Sequence, residues 1–265
     1  MKNIKHYAFP SEIDDAMAIL LDGDYKALVM AGGTLVGKTI PASAETYLDI
    51  RNLPLKEIKT KDGKLSIGAC ATFDEIDNSP LCREWAGGII SQAASKCSSQ
   101  LVRNMATIGG NIAKPHSFNI FPLILLGMDA ELVIATGEGQ KTIKYADLPA
   151  HKELNPGSNC IILEVLFPEK TKGMKYEFIK LAKTNSSWES YVSLFFSDDR
   201  ENPKFIVGAL TPRPYNAEEA CKAYSANAPV EEVIAKFQAE AETKKGKGYR
   251  AEAAANLLRR YLGAE

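Results

Sequence analysis

The sequence predicts an α+β protein in two parts. Near the start a helical pattern, an apolar strand-like run, a glycine-rich turn and a second strand-like run follow one another, which is the order of a small α/β unit. A polar stretch bounded by proline and glycine, Pro168-Glu169-Lys170-Thr171-Lys172-Gly173, marks the best boundary in the chain. After it come three strand-like runs and then helices, the pattern of a small α+β layer domain. At 265 residues the chain is long enough for both parts. Its 32 Lys+Arg against 33 Asp+Glu leave a formal charge of −1, which gives no reason to expect nucleic acid. No apolar run approaches a membrane span, and Met1-Lys2-Asn3-Ile4-Lys5-His6-Tyr7 lacks the apolar core of a signal peptide, so the expected location is cytoplasmic.

Ser11, with Asp14 three residues on, reads as a helix N-cap, and Ile13, Ala16, Met17, Leu20 and Leu21 fall on one face before Gly23 ends the helix. Strands are expected at 26–30 and 46–50, the second stopped by Asn52 and Pro54. Lys61-Asp62-Gly63-Lys64, amid alternating apolar residues over 58–69, signals a hairpin. Thr72 with Glu75 makes a capping box, and 81–96 reads as one helix despite Gly87 and Gly88. Residues 122–128 form a short buried helix with proline in its first turn. Strands at 130–135 and 160–167 follow, joined through the turn-rich Thr136-Gly137-Glu138-Gly139. Beyond the boundary the strand-like runs are 174–181, 191–196 and 205–211, linked by short polar segments such as Asp198-Asp199-Arg200-Glu201-Asn202-Pro203. Helices are expected at 217–224, 230–241 and 249–262, with Lys244-Lys245-Gly246-Lys247 as a solvated linker.

Cys70, Cys82, Cys97, Cys160 and Cys221 are scattered and form no C-x-x-C pair, which argues for buried free thiols and against a disulfide framework or a metal cluster held by this chain alone. His6, His116 and His151 show no metal-ligand spacing. Neither G-x-S-x-G, nor G-x-x-x-x-G-K-[ST], nor G-x-G-x-x-G occurs, so the hydrolase, P-loop and Rossmann readings lose their usual footing.

The chemistry concentrates in two glycine pairs. Met30-Ala31-Gly32-Gly33-Thr34-Leu35-Val36-Gly37-Lys38 follows the apolar run Lys26-Ala27-Leu28-Val29, and its glycines remove the Cβ atoms that would keep an anion from the main-chain N–H groups. Thr107-Ile108-Gly109-Gly110-Asn111-Ile112-Ala113 repeats the arrangement downstream with a hydroxyl before the pair and an amide after it. One double glycine is usually a turn; two, each beside an apolar segment, suggest two loops closing on the same diphosphate.

With these pieces in order, the chain resembles the FAD-binding (medium) subunit of the molybdenum hydroxylases, the group that includes xanthine dehydrogenase and aerobic-type carbon monoxide dehydrogenase. The strongest bearers are Ala31-Gly32-Gly33-Thr34 and Thr107-Ile108-Gly109-Gly110-Asn111-Ile112-Ala113; residues 123–132, the strand 162–168 leading to Lys180, and Tyr249-Arg250 support them. The resemblance implies an FAD-binding domain over 1–170 made of two α/β subdomains, about 1–55 and 56–170, of the vanillyl-alcohol-oxidase-like kind. A C-terminal α+β domain over 171–265, with a three-stranded antiparallel sheet, would follow.

It also implies that Val29, Met30, Ala31, Gly32, Gly33, Thr34 and Leu35 run along the FAD pyrophosphate, that Thr107, Gly109, Gly110 and Asn111 face them, and that Ile162 and Lys180 complete the site, Lys180 near the flavin ring. A cation there would favour the anionic reduced flavin. No general base is implied on this chain: a molybdopterin-binding large subunit would oxidise the substrate, a [2Fe-2S] small subunit would relay electrons, and an acceptor such as NAD would take them from FAD. Leu35 replaces an acid or amide common in the family, and Ile120 stands where an aspartate is usual, with Asn119 the nearest polar residue. Those departures motivate a second reading, a flavin-free scaffold subunit of such a complex. A third is a stand-alone flavin oxidase. Trp188, Tyr191 and Phe196 are the aromatic candidates for shielding a flavin ring, although aromatic residues in strands are usually core.

Overall fold

A computed structural model describes residues 4–36, 41, 43–114, 116–151, 154–157, 159–197, 199–244 and 248–264. Gly37 and Lys38 of the first glycine stretch, the first three residues, Asp198 and Lys245-Gly246-Lys247 lie outside the described residues.

The chain begins with β1 (His6–Ala8), α1 (Ile13–Leu21), β2 (Ala27–Met30) and β3 (Thr46–Asp49), which make a parallel sheet in the order β1-β3-β2. β1 is three residues long, too short for a periodic signal. The Ser11 cap does not form: Glu12 is the N-cap residue and makes no side-chain bond. At the other end Asp22, not Gly23, closes α1, its carboxylate accepting the Asp24 N–H at 2.9 Å.

The second unit opens with the hairpin β4 (Ile58–Lys61) and β5 (Lys64–Gly68), turned by Asp62 and Gly63 at φ 50° and 76°, the two left-handed positions a tight hairpin turn demands. Helices α2 (Phe73–Asn78), α3 (Pro80–Glu84), α4 (Ile89–Ser95), α5 (Gln100–Arg103), α6 (Ile108–Ala113) and α7 (Phe121–Gly127) follow. The Thr72–Glu75 capping box forms on α2 as expected. The single helix expected over 81–96 is instead broken, because Ala86, Gly87 and Gly88 adopt φ of 51°, 66° and 82°. The break lets the Ala86 N–H reach the Lys172 carbonyl at 2.9 Å and the Trp85 indole donate to Thr171 Oγ1 at 2.9 Å. Partners distant in sequence thus override local propensity.

Three more strands, β6 (Glu131–Thr136), β7 (Gly139–Lys144) and β8 (Ile161–Phe167), complete a five-stranded antiparallel sheet in the order β4-β5-β8-β6-β7. The turn at 136–139 is the tip of the β6–β7 hairpin and does not lead directly into β8. β7, Gly-Gln-Lys-Thr-Ile-Lys, is a polar edge strand with no apolar alternation to betray it.

The C-terminal strands are β9 (Tyr176–Ala182), β10 (Ser190–Ser197), β11 (Lys204–Gly208) and β12 (Tyr215–Asn216), antiparallel in the order β12-β11-β10-β9, followed by α8 (Glu218–Ser225), α9 (Val230–Thr243) and α10 (Tyr249–Tyr261). The expected three strands are present, and the two-residue β12 makes a fourth.

Alternation along these strands sorts the core. Phe178, Phe195 and Ile206 join the cluster formed by α2–α7 and the five-stranded sheet, whereas Val192, Leu194, Phe196, Phe205 and Val207 pack on α8–α10. The opposite face of the five-stranded sheet presents Val133, Ala135, Ile161 and Leu163 to α1 and β3. Each fully buried side chain of this size contributes about 1.5–3 kcal/mol. α7 lies so close to β10 that a Cβ on Gly127 would stand 2.4 Å from the Phe195 ring.

Candidate functional site

The three-stranded and five-stranded sheets meet β9 around a cavity of about 410 Å³. Its walls come from the end of β2 and the turn after it, from the α5–α6 segment, from β8, and from Lys180 on β9 with Trp188 beyond it. Val29, Ala31, Gly32, Gly33, Thr34, Leu35, Thr107, Gly109, Gly110, Asn111, Ile162 and Lys180 all line it. Met30 does not; its sulfur turns under Gly33, 3.8 Å from where a Cβ on that glycine would stand.

The first glycine stretch touches the chain just before the second. A Cβ on Gly32 would lie 1.7 Å from the Met105 carbonyl oxygen, so only glycine lets the first turn pass the strand of chain entering α6. Gly33 follows at φ 68°, a left-handed position. Among the described residues, the N–H groups of Gly32, Gly33 and Thr34 take no acceptor.

The second stretch differs from the expected loop. It is the helix α6, capped by Thr107, whose Oγ1 accepts the Gly110 N–H at 3.2 Å. The Ile108 and Gly109 N–H groups donate to the Ala71 and Ala69 carbonyls at 3.0 and 2.9 Å, and that of Asn111 to the Thr107 carbonyl at 3.0 Å. Main-chain hydrogens here are already engaged, which leaves the Thr107 hydroxyl proton and the Asn111 amide NH₂ as donors. Asn111 Oδ1 accepts the Phe121 N–H at 3.2 Å, and buried Asn119 donates to the Asn111 and Lys114 carbonyls at 2.6 and 2.9 Å. Asn119 therefore fixes the turn between α6 and α7, and Ile120 beside it lines the cavity as an apolar wall.

Lys180 lies on the strand face that carries Phe178, opposite Ile179 and Leu181, and so projects into the cavity. Its ammonium donates to the Lys96 carbonyl at 2.9 Å and to the Ser187 carbonyl. Burial pulls its pKa below the usual lysine value. Trp188 lines the cavity while remaining 40% exposed, its ring centroid 4.5 Å from that of His116 and 5.6 Å from that of Phe118. Tyr191 and Phe196 are not part of the wall: Tyr191 stands against Tyr249, and Phe196 is in the core under α8–α10.

Sequence reasoning missed Cys97, Ser98, Phe118 and Gly157, all in the wall, because each comes from a segment with no local ligand signal. Gly157 meets β2 directly, its carbonyl accepting the Val29 N–H at 3.4 Å. The five thiols are free and buried as expected. No cluster of His, Cys, Asp or Glu among the described residues could hold a metal, and none of their carboxylates or imidazoles lines the cavity.

A largely apolar cleft between α/β units, with uncommitted main-chain N–H groups at a strand-to-turn junction, fits a cofactor that is planar and apolar at one end and anionic in its middle. The class is that of a flavin-dinucleotide-binding protein. Residues 2–170 match the family described as the FAD binding domain in molybdopterin dehydrogenase, and the chain belongs to that family. FAD is the cofactor that family binds.

The chain is 26% identical over 189 residues to the carbon monoxide dehydrogenase medium chain of Hydrogenophaga pseudoflava, covering 69% of this chain and 65% of that one. It is 28% identical over 195 residues to the nicotinate dehydrogenase FAD-subunit of Eubacterium barkeri, covering 70% and 65%. These matches span just under two thirds of the relatives' own length. In fold, a solved carbon monoxide dehydrogenase structure from Hydrogenophaga pseudoflava aligns with 100% of this chain and 98% of its own, with a TM-score of 0.84 at 21% identity. No helix among the described residues is long and apolar enough to cross a membrane.

Proposed function

We propose that this chain is the electron-transfer medium subunit of a multi-subunit molybdenum hydroxylase, taking electrons from [2Fe-2S] clusters on a small subunit while a molybdopterin-binding large subunit oxidises the substrate. An acceptor such as NAD would receive the electrons. The observation that supports it most is that both glycine stretches line one cavity, the first touching the chain at Met105 just before the second, with the Gly32, Gly33 and Thr34 N–H groups taking no acceptor among the described residues. The names of the relatives, a medium chain and an FAD-subunit, point the same way.

FAD, when bound, supplies redox chemistry in one-electron and two-electron steps. In this reading the Gly32, Gly33 and Thr34 N–H groups donate to its diphosphate, with the Thr107 hydroxyl and the Asn111 amide opposite them. Val29, Ala31 and Leu35 flank that grip, Gly109 and Gly110 let the chain approach from the other side, and Ile162 and Ile120 exclude water. Lys180 places a cation at the wall with one ammonium hydrogen uncommitted. No carboxylate or imidazole among the described residues lines the cavity, so these groups supply no general base there for oxidising a substrate of its own, which disfavours a stand-alone oxidase.

The test is the visible spectrum of the purified protein, before and after incubation with FAD, together with the identity of what co-purifies. Flavin absorbance and co-purifying molybdopterin and iron–sulfur subunits are expected. A colourless preparation that cannot be reconstituted overturns the proposal in favour of a flavin-free scaffold.

A further inference from the structure

Lys180 does something besides bearing charge at the cavity wall. Its ammonium holds the Ser187 carbonyl, one residue before Trp188, and the Lys96 carbonyl just past the end of α4. One side chain of the cavity wall thereby bridges the tip of the β9–β10 hairpin to the helical layer. The tip is bonded within itself: the Ser187 N–H donates to the Thr184 carbonyl at 3.1 Å, the Thr184 N–H to Ser187 Oγ at 3.2 Å, and the two hydroxyls are 2.8 Å apart. The tip is therefore a locally bonded turn.

Nothing beneath anchors it as core. Trp188 is 40% exposed, Lys183, Thr184, Asn185 and Ser186 are exposed, and none belongs to a hydrophobic cluster. The other attachment of the tip is the ring contact of Trp188 with His116 and Phe118, on the turn between α6 and α7. Few buried apolar contacts and a rigid tip held at two points describe an element that opens locally without global unfolding.

We propose that residues 183–189 form a lid over the cavity, with Lys180 as its tether and the Trp188–His116 ring contact as its latch. The closed lid sets an aromatic face against the cavity mouth, and the open lid exposes the interior to a planar cofactor entering or leaving. Lys180 is a positioning residue in this account, acting through the Ser187 carbonyl. The inference rests on the FAD reading only for what sits beneath the lid; the lid itself is tested without cofactor.

Iodide quenching of tryptophan fluorescence in the FAD-free full chain reads it directly. There are two tryptophans, and Trp85 is 3% exposed and bonded to Thr171, so the quenchable signal is that of Trp188. Lys180→Met is expected to raise the quenching constant about threefold and, in the FAD-loaded chain, to speed cofactor release about tenfold, as the loss of charge-assisted bonds implies. Lys180→Arg keeps the donors and is expected to restore much of the protection. His116→Ala, which removes the latch while leaving the strand intact, should raise quenching as well. Unchanged quenching in both Lys180→Met and His116→Ala overturns the proposal. So does a shifted flavin reduction potential in Lys180→Met with unchanged quenching, which would make Lys180 a direct ring contact. Failure of the wild-type chain to take up FAD would instead count against the flavin reading and leave the quenching result to decide on the lid.

Discussion

Replacing Gly32 with alanine tests the idea that two segments far apart in sequence hold one site by touching. The new Cβ would stand 1.7 Å from the Met105 carbonyl oxygen and 2.6 Å from its carbon. An ordinary carbon–oxygen contact needs about 3.3 Å, so the segments must part by about 1.6 Å, and neither side is a flexible side chain that could turn away. Such overpacking costs about 1–3 kcal/mol of stability. If, as proposed, these N–H groups hold the FAD diphosphate, displacing even one removes a charge-assisted bond of about 1.5–3 kcal/mol and weakens FAD binding about 10- to 150-fold. Two other glycines grade the effect. Gly33→Ala meets no closer atom than the Met30 sulfur at 3.8 Å but must hold φ 68°, at a cost of about 1–2 kcal/mol. Gly23→Ala meets nothing within 4 Å and should be neutral or slightly stabilising. FAD titration by flavin fluorescence and thermal unfolding of the three variants should rank them in that order. A Gly32→Ala protein with wild-type affinity and melting temperature refutes the reasoning.

Three further outcomes follow from the same geometry. Burial pushes the Asp129 carboxyl up, but hydrogen bonds from Lys170 and Lys204, each 2.8 Å, bring it below its ordinary value of 3.8, so its contribution to stability is present above that pH and lost as pH falls below it. Asp129→Asn, which tolerates the left-handed φ of 51°, should therefore lower stability at neutral pH and flatten its decline below about pH 4, as read by urea unfolding across pH. Burial raises Cys70 and Cys97 to about 12 and Cys82, Cys160 and Cys221 to about 11, so a thiol reagent at pH 8 should find no reactive cysteine in the folded chain and five after denaturation. Asn119→Ala leaves the Asn111 and Lys114 carbonyls without their donor and should cost about 1–3 kcal/mol in denaturant melts; Asn119→Asp, which also lacks the amide hydrogens, should be no better.

What was legible in the sequence was chemistry that acts within a few residues. Asp62-Gly63 specifies its turn, Thr72 and Glu75 cap α2, and Pro122 starts α7 without any help from the rest of the molecule. The elements that escaped depend on partners elsewhere. β1 and β12 are too short to show a period and exist because β3 and β11 offer them edges. β7 has a polar face on an exposed edge, so its pairing with β6 leaves no apolar trace. The break at Ala86 depends on a carbonyl at Lys172 that no window around residue 86 contains. The site divides in the same way: the glycine pairs announce themselves, whereas Cys97, Phe118 and Gly157 reach the cavity only through the packing of helices and strands.

The two glycine pairs, alike in sequence, do different work, and the position of the threonine explains why. Thr107 stands three residues before Gly110, the spacing of an N-cap, so its oxygen takes the Gly110 N–H and the segment winds into α6. Thr34 follows its pair, and no hydroxyl stands before Gly32 to consume the hydrogens there. A capped helix whose first N–H groups are bonded to Ala71, Ala69 and Thr107 is a rigid wall with a hydroxyl on its face, while an uncapped turn at the end of β2 keeps a row of donors in reserve. On the proposed reading the anion grip would fall to Gly32, Gly33 and Thr34, and the second pair would serve by proximity: Gly109 lets α6 press against Ala69, where a Cβ would come within 2.7 Å of that residue's own, in the segment whose Met105 carbonyl stands where only a glycine at position 32 can accept it.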